Sequence, residues 1–461
     1  MKKLSLRSGI MLIIAMMFVL GLILFCVIYF TNASDWVMHP ANSHLYTNGE
    51  FTEGGTVYDC NGTVLAQTKK NKRVFNADRS IRLSTLHAVG DANGFISTGV
   101  QTFFRQELAG YNLITGLFPK KKSYNNITLT IDAEVSAAAL SALGSYSGTI
   151  GMYNYKTGEL LCMVSTPTYD VENESDTEKA ISGEYEGVFM NRFLSSTYAP
   201  GSTFKIVTAA AAIDTLPDAY TRKYTCKGGC TIGGETVKCT GYHGDISLEQ
   251  AFAVSCNSYF SSLAVDLGKD TMTRYAKKFG FGKSYSIDGI EAAVSSYDVE
   301  NARKIELGWS GIGQYNDMAN PLQYLTSVGA IANGGTPIKP YFIQRIENSS
   351  GITVSKGKAA KGSNLVSKST AEKLTELMRG ATEITYGKSF FGSLNVCGKT
   401  GTAEVDGRTP HAEFVGFCTD EDYPFAFVVV VEEGGSGNSI AKSAANTVLQ
   451  AAKSSYDNQK K

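Results

Sequence analysis

The chain has 461 residues, of which 43% are hydrophobic and 19% charged, a composition that excludes wholesale disorder and a length beyond one compact core. Lysine plus arginine balance aspartate plus glutamate at 43 each, so no global field favours nucleic acid, and no nucleic-acid partner is expected. The basic runs KKNKR (69–73) and PKKKS (119–123) read as solvated faces or loops.

Residues Ile10 to Phe30 carry no charge and are long enough to cross a bilayer as a helix. Lys2, Lys3 and Arg7 precede them, so the positive-inside bias predicts a cytoplasmic N-terminus and an extracellular remainder, held by a single-pass anchor. Residues 31–125 are polar and irregular and read as a membrane-proximal pedestal. From Asn126 the pattern sharpens. Ile127, Leu129 and Ile131 alternate as in a strand, and Asp132 is placed to cap an alanine-rich helix. SGTIGMYNYKTGELLCMVSTPTYD then reads as two strands joined by a tight turn.

Helix-rich sequence follows. Near the C-terminus LNVCGKTGTAEV, HAEFVGFCTD and PFAFVVVVEE read as three strands, ahead of a helix around Ser439 to Lys453. Short connections favour an antiparallel sheet, assembled from both ends of the domain around a helical insert, which is an α+β fold. The expected partition is a 1–9 cytoplasmic end, a 10–30 anchor, a 31–125 pedestal, a 126–456 catalytic domain and a 457–461 tail.

Nine cysteines form no tidy disulfide framework. Cys226, Cys230, Cys239 and His243 are spaced C-x3-C-x8-C-x3-H, off the usual zinc pattern; a disulfide such as Cys226 with Cys239 is the preferred reading over zinc or unpaired thiols.

In APGSTFKIVTAAAAI, Pro200 and Gly201 disfavour a helix before Ser202, while the following run favours one. Three residues is nearly one helical turn, so the Ser202 hydroxyl and the Lys205 amine share a face. A neutral lysine there can take the hydroxyl proton, with its basicity lowered by burial and by the helix N-terminus. Ser-x-x-Lys alone is common by chance. Two further motifs change its weight: Ser255-Cys256-Asn257, and Lys399-Thr400-Gly401-Thr402 on a strand. Ser255 can relay a proton to a leaving amine, Asn257 can bond both a peptide and Lys205, Lys399 can meet a substrate carboxylate, and Gly401 can let the strand approach an extended peptide.

The three motifs, in this order, are the set found in penicillin-binding proteins and class A β-lactamases. With GGTVYDCNGTVLAQT, TGELLCMVSTPTYD, GWSGIGQYNDMANPLQ and HAEFVGF, the chain resembles a membrane-anchored, monofunctional (class B-like) penicillin-binding protein. The resemblance implies a transpeptidase domain of the penicillin-binding and serine β-lactamase type, an antiparallel sheet flanked by helices with an all-helical subdomain. It implies a D,D-transpeptidase acting on D-Ala-D-Ala stem peptides through a Ser202 acyl-enzyme, acylated by β-lactams, with Lys205, Ser255, Asn257 and Lys399 as catalytic residues. Thr400, Gly401 and Thr402 would bind substrate, and the backbone N–H groups of Ser202 and Thr402 would form the oxyanion hole. No metal or organic cofactor is implied, and a polytopic glycosyltransferase is the expected protein partner. Cys256 departs from the aspartate common in the second motif, and Cys60 from an arginine in the earlier segment. His243 and His411 read as structural, because Ser202 already has Lys205. The alternatives are a D,D-carboxypeptidase, a β-lactamase, or an idle penicillin-binding sensor or scaffold. The chain's layout, its long anchored form and its three intact motifs argue for the transpeptidase.

Overall fold

The computed structural model describes residues 2–113, 116–117, 123–405 and 407–460. A first helix, α1 (Lys2–Val37), contains one segment, Leu6–Val37, long and apolar enough to cross a membrane. Past it, Val57–Tyr58, Val64–Lys69 and Lys72–Phe75 enter a six-stranded sheet. Asn126–Leu129 pairs parallel with Val57–Tyr58 and antiparallel with Ile343–Glu347, so this sheet joins residues on both sides of position 125.

Asp132 caps α2 (Ala133–Leu143), accepting from the N–H groups of Glu134 and Val135 at 2.9 and 3.1 Å. The hairpin β1 (Gly148–Asn154) and β2 (Leu160–Thr166) follows, as the tight turn between them predicts. The helical insert holds α3 (Lys205–Thr215), α4 (Asn257–Lys278), α5 (Pro321–Ala332) and α6 (Lys368–Ala381). Then come β3 (Val396–Ala403), β4 (His411–Cys418), β5 (Phe425–Val431) and the C-terminal helix α7 (Lys442–Gln459).

The second sheet runs β3-β4-β5-β1-β2, antiparallel throughout. Helices cover both faces. On one, Asn154 of β1 bonds Tyr456 of α7; on the other, Tyr153 meets Gly329 of α5, where a Cβ would lie 1.9 Å from the tyrosine oxygen. Every residue of β1, β2 and β5 is buried, and burial on both faces explains why β2 and β5 run as near-continuous apolar stretches. The arrangement leaves β3 as an edge, one side paired to β4 and the other open toward the insert.

The basic run 69–73 splits. Lys69, Lys70 and Lys72 are exposed, but Arg73 is buried, its Nε donating to Gln101 Oε1 (2.7 Å) and its Nη1 to the carbonyls of Gly54 and Gly55 (3.0 and 2.8 Å). A strand alternates its faces, so the last residue of a charged run turns inward and serves the Gly55 carbonyl, and with Thr68 Oγ1 the Gly54 carbonyl. In the second run, positions 119–122 lie outside the described residues. Arg73→Ala should lower unfolding stability by about 2–3 kcal/mol, because it strands the buried Gly55 carbonyl and the Gln101 amide oxygen, while the Gly54 carbonyl keeps Thr68 Oγ1. Lys72→Ala should change it by less than about 0.5 kcal/mol. Denaturant titration of the full chain in detergent checks both, and equal effects would rule the structural role out.

Candidate active site

Ser202 lies in a single tight turn, Gly201–Phe204, that leads directly into α3. Gly201 is required there. Its φ is +48°, and a Cβ would sit 3.0 Å from the Thr402 carbonyl of β3. Gly313, in the GWSGIGQ block, accepts from the Gly201 N–H at 3.0 Å, and a Cβ on it would strike the Gly201 carbonyl at 2.1 Å. The nucleophile turn is thus wedged between an edge strand and a glycine loop.

Lys205 opens α3 and is fully buried. Its Nζ lies 3.0 Å from Ser202 Oγ, 2.8 Å from the Ser255 carbonyl, 3.0 Å from Ser255 Oγ and 2.8 Å from Asn257 Oδ1. Two of these partners, the carbonyl and the amide oxygen, can only accept. A neutral amine has two N–H donors and one lone pair, so satisfying both acceptors leaves the lone pair for the Ser202 hydroxyl. The second motif makes this possible through its backbone. Ser255 takes φ +55°, a left-handed conformation costing a non-glycine residue about 1–3 kcal/mol, just before Cys256 caps α4.

Lys399, on β3, is also fully buried, its Nζ 3.0 Å from Ser255 Oγ and 3.0 Å from the Thr400 carbonyl. One serine hydroxyl therefore stands between two lysine amines. Among the described residues neither amine forms an ion pair with a carboxylate. Burial pushes Lys205 down to about 7, against smaller opposing contributions from Cys256 and Cys239. Burial also holds Lys399 well below its ordinary range, and the neighbouring Lys205 adds to the effect. The cause at Lys205 is desolvation, the burial that the sequence reading named beside the helix N-terminus.

The third motif supplies the open edge. The Thr400 N–H points away from β4, donating to Tyr386 Oη at 3.0 Å, and strand alternation turns the Thr402 backbone the same way, toward Gly201 and Ser202. Thr402 is exposed at the mouth of the site. Gly401 is close-packed, but against the chain itself: a Cβ would lie 3.0 Å from the Pro200 carbonyl and from Thr203 Cγ2. It lets the strand approach the nucleophile turn, where the sequence suggested approach to a peptide. His411 is structural in its contacts, with Nδ1 accepting from the Glu433 N–H at 3.0 Å.

Two residues escaped the sequence reading. Tyr386 is buried and holds both the N–H and Oγ1 of Thr400. Glu413 of β4, opposite Gly401, buries its carboxyl beneath the nucleophile turn, 3.4 Å from Thr203 Oγ1. Neither sits in a spaced motif; only the burial of a charged residue within the apolar HAEFVGF strand could have flagged Glu413.

The family described as penicillin binding protein transpeptidase domain matches residues 148–450. The peptidoglycan D,D-transpeptidase PbpA of Mycolicibacterium smegmatis is 31% identical over 389 residues, 74% of this chain and 76% of that protein. The D,D-transpeptidase domain of a peptidoglycan glycosyltransferase from Eggerthella lenta superimposes with a TM-score of 0.76 at 27% identity, over 87% of this chain and 98% of that one. The penicillin G acyl-enzyme complex of penicillin-binding protein A from M. tuberculosis gives 0.76 at 25% identity, over 87% and 99%.

Burial raises the Glu413 carboxyl from 4.5 to about 8, so it is protonated in the folded chain at neutral pH. A raised carboxyl favours the folded state fully below the unfolded value, and this contribution is lost as pH rises toward the folded one. Wild type should therefore lose stability between about pH 4.5 and 8 relative to Glu413→Gln, by on the order of a few kcal/mol. Parallel pH–stability curves for the two proteins would contradict a buried neutral carboxyl.

Proposed function

The chain belongs to the penicillin-binding protein transpeptidase family, and we propose that it is a peptidoglycan D,D-transpeptidase in which Ser202 is the nucleophile and Lys205 its base. One observation carries the assignment: a buried amine 3.0 Å from the serine hydroxyl, its donors directed to two oxygens that cannot donate back.

The reaction follows from that geometry. Ser202 Oγ attacks the penultimate D-alanyl carbonyl of a stem peptide as its proton passes to Lys205 Nζ. The oxyanion is met by the backbone N–H groups of Ser202 and Thr402. As the C–N bond breaks, the terminal D-alanine amine receives a proton through Ser255, which touches both lysines. The acyl-enzyme then passes to the amine of a second stem peptide, which loses its proton by the same route and restores Ser202. A β-lactam enters at the first step, its ring amide in place of the peptide bond. Lys399, Thr400 and Thr402 meet the donor's terminal carboxylate, with Gly401 holding their strand against the nucleophile turn.

The apolar helix fits a single-pass anchor. Lys2, Lys3 and Arg7 at its start favour a cytoplasmic N-terminus and an extracellular catalytic domain. The pedestal then sets the site above the bilayer, where a polytopic glycosyltransferase supplies glycan strands to cross-link. A carboxypeptidase would use the same first half-reaction, so acceptor choice is read separately, by cross-link formation on lipid II polymers against release of D-alanine alone.

Fluorescent penicillin should label the wild type covalently and leave Ser202→Ala unlabelled. Lys205→Ala should slow labelling by about 10²–10⁴-fold, the usual worth of a positioned base. Gel fluorescence after denaturation reads both, and labelling of Ser202→Ala at the wild-type level would remove the nucleophile assignment.

A further inference from the structure

The apolar helix α1 does not end in a loose linker. Ala33 and Met38 are buried, Asn42 Nδ2 donates to the Val37 carbonyl at 2.8 Å, and Tyr46 Oη donates to the Met38 carbonyl at 2.8 Å. Side chains of the pedestal thus take up carbonyls that a helix end leaves open, and hold the pedestal at a set height and angle on the anchor. Ile10 to Phe30 covers about 30 Å at 1.5 Å per residue, the hydrocarbon thickness of a bilayer. Tyr29 then lies at the outer edge of the hydrocarbon, and Trp36 about 10 Å higher, at headgroup level.

A groove of 670 Å³ runs between this end of α1 and the pedestal. Tyr29, Ala33 and Trp36, spaced to share one helix face, form one wall, and Tyr111, Leu113 and Gly116 form the other. Asn112 and Gly116 exchange both backbone hydrogen bonds, at 3.2 and 2.7 Å, which fixes the second wall. No aspartate, glutamate, lysine or arginine is among the described residues that line the groove. Trp36 is 54% exposed and Leu113 41%, so the groove presents apolar surface where it leaves the hydrocarbon. The sequence extends the pattern: Leu113, Ile114, Leu117 and Phe118 are followed by Lys120, Lys121 and Lys122, apolar residues and then cations, as acyl chains are followed by phosphates across a leaflet. At the upper end His39 Nδ1 accepts from the Ala41 N–H at 3.2 Å, which leaves Nε2 to carry the ring proton as a donor.

We propose that this groove binds one phospholipid of the outer leaflet, its acyl chain laid between Trp36 and Leu113 and a headgroup oxygen accepting from His39 Nε2. The site rests on the reading of α1 as a membrane anchor. Continuity selects the occupant: the groove opens at Tyr29 onto the apolar span itself, and aromatic and aliphatic side chains at this depth meet lipid at far higher local concentration than any soluble ligand. Its uncharged lining calls for no ionic partner. The bound lipid widens the contact between pedestal and membrane from one helix to a helix and a turn, which limits how far the catalytic domain can tilt above the bilayer.

Full-length chain extracted in mild detergent should retain a phospholipid in native mass spectrometry. Leu113→Asp should weaken that binding at least about tenfold, the worth of one buried leucine side chain. Val354→Asp, at an exposed position on the strand Thr353–Lys356, should leave it unchanged. Because Leu113→Asp could disturb its turn, Trp36 provides a second reading with the groove intact. In Trp309→Phe it is the one remaining tryptophan, and nanodiscs of phospholipid brominated along the acyl chain should quench most of its emission. Bromine quenches at contact, so chains confined to the hydrocarbon, about 10 Å lower, would leave Trp36 bright. Full lipid occupancy in Leu113→Asp, equal loss in Val354→Asp, an unquenched Trp36, or a lipid-free dimer that gives the groove to a second copy would each overturn the site. Release of the chain from membranes by alkaline carbonate would instead overturn the anchor reading, whereas a chain that stays in the membrane with Trp36 unquenched overturns the lipid site alone.

Discussion

Two lysine amines are buried on either side of one serine hydroxyl, and most of the catalytic half of the molecule is arranged around that constraint. Burying an ammonium without a carboxylate partner costs several kcal/mol, and a second one nearby raises the cost further. The chain meets it with oxygens instead of charges. Ser255 contributes its carbonyl only because its backbone is left-handed, and Asn257 contributes an amide oxygen from the first turn of α4. The resulting preference for a neutral Lys205 converts an ordinary hydroxyl at a helix start into a nucleophile. No single element contains this site. It is closed by α3, the start of α4 and the edge strand β3, and each must be placed to within a few tenths of an ångström for the contacts at 2.8–3.0 Å to coexist.

That requirement explains where the chain uses glycine and rigid packing. Gly201, Gly313 and Gly401 allow three backbone segments to meet around Ser202 at separations that a Cβ would crowd at Gly201 and Gly401 and prevent at Gly313. The second motif begins at a strained residue and is backed by the short strand pair Tyr224–Cys226 and Gly244–Ile246, an element with little stability of its own.

Much of this was legible in sequence, because some features are local. The Asp132 cap, the β1–β2 hairpin, the three late strands and the order of the three motifs are set by residues within a few positions of one another. The pairing of Ser202 with Lys205 is likewise fixed by one helical turn. What escaped was non-local. Arg73 closes a charged run yet points inward, since the carbonyls it serves lie about twenty residues earlier. Tyr386 and Glu413 belong to no spaced pattern and matter only because packing brings them under β3. Cys256 was read only as a replacement in its motif, whereas the fold sets its sulfur 3.6 Å from that of Cys239, and Cys226 and Cys239, expected as a disulfide, are free thiols.

The central claim is that Lys205 is neutral when it meets the Ser202 proton. The pre-steady-state rate of acylation by penicillin, measured across about pH 5 to 9, tests it most directly. The account predicts a rate that rises with pH through a midpoint near 7, following loss of the Lys205 proton. A rate independent of pH over that range, or one still rising toward the ordinary lysine value of 10.5, would contradict it.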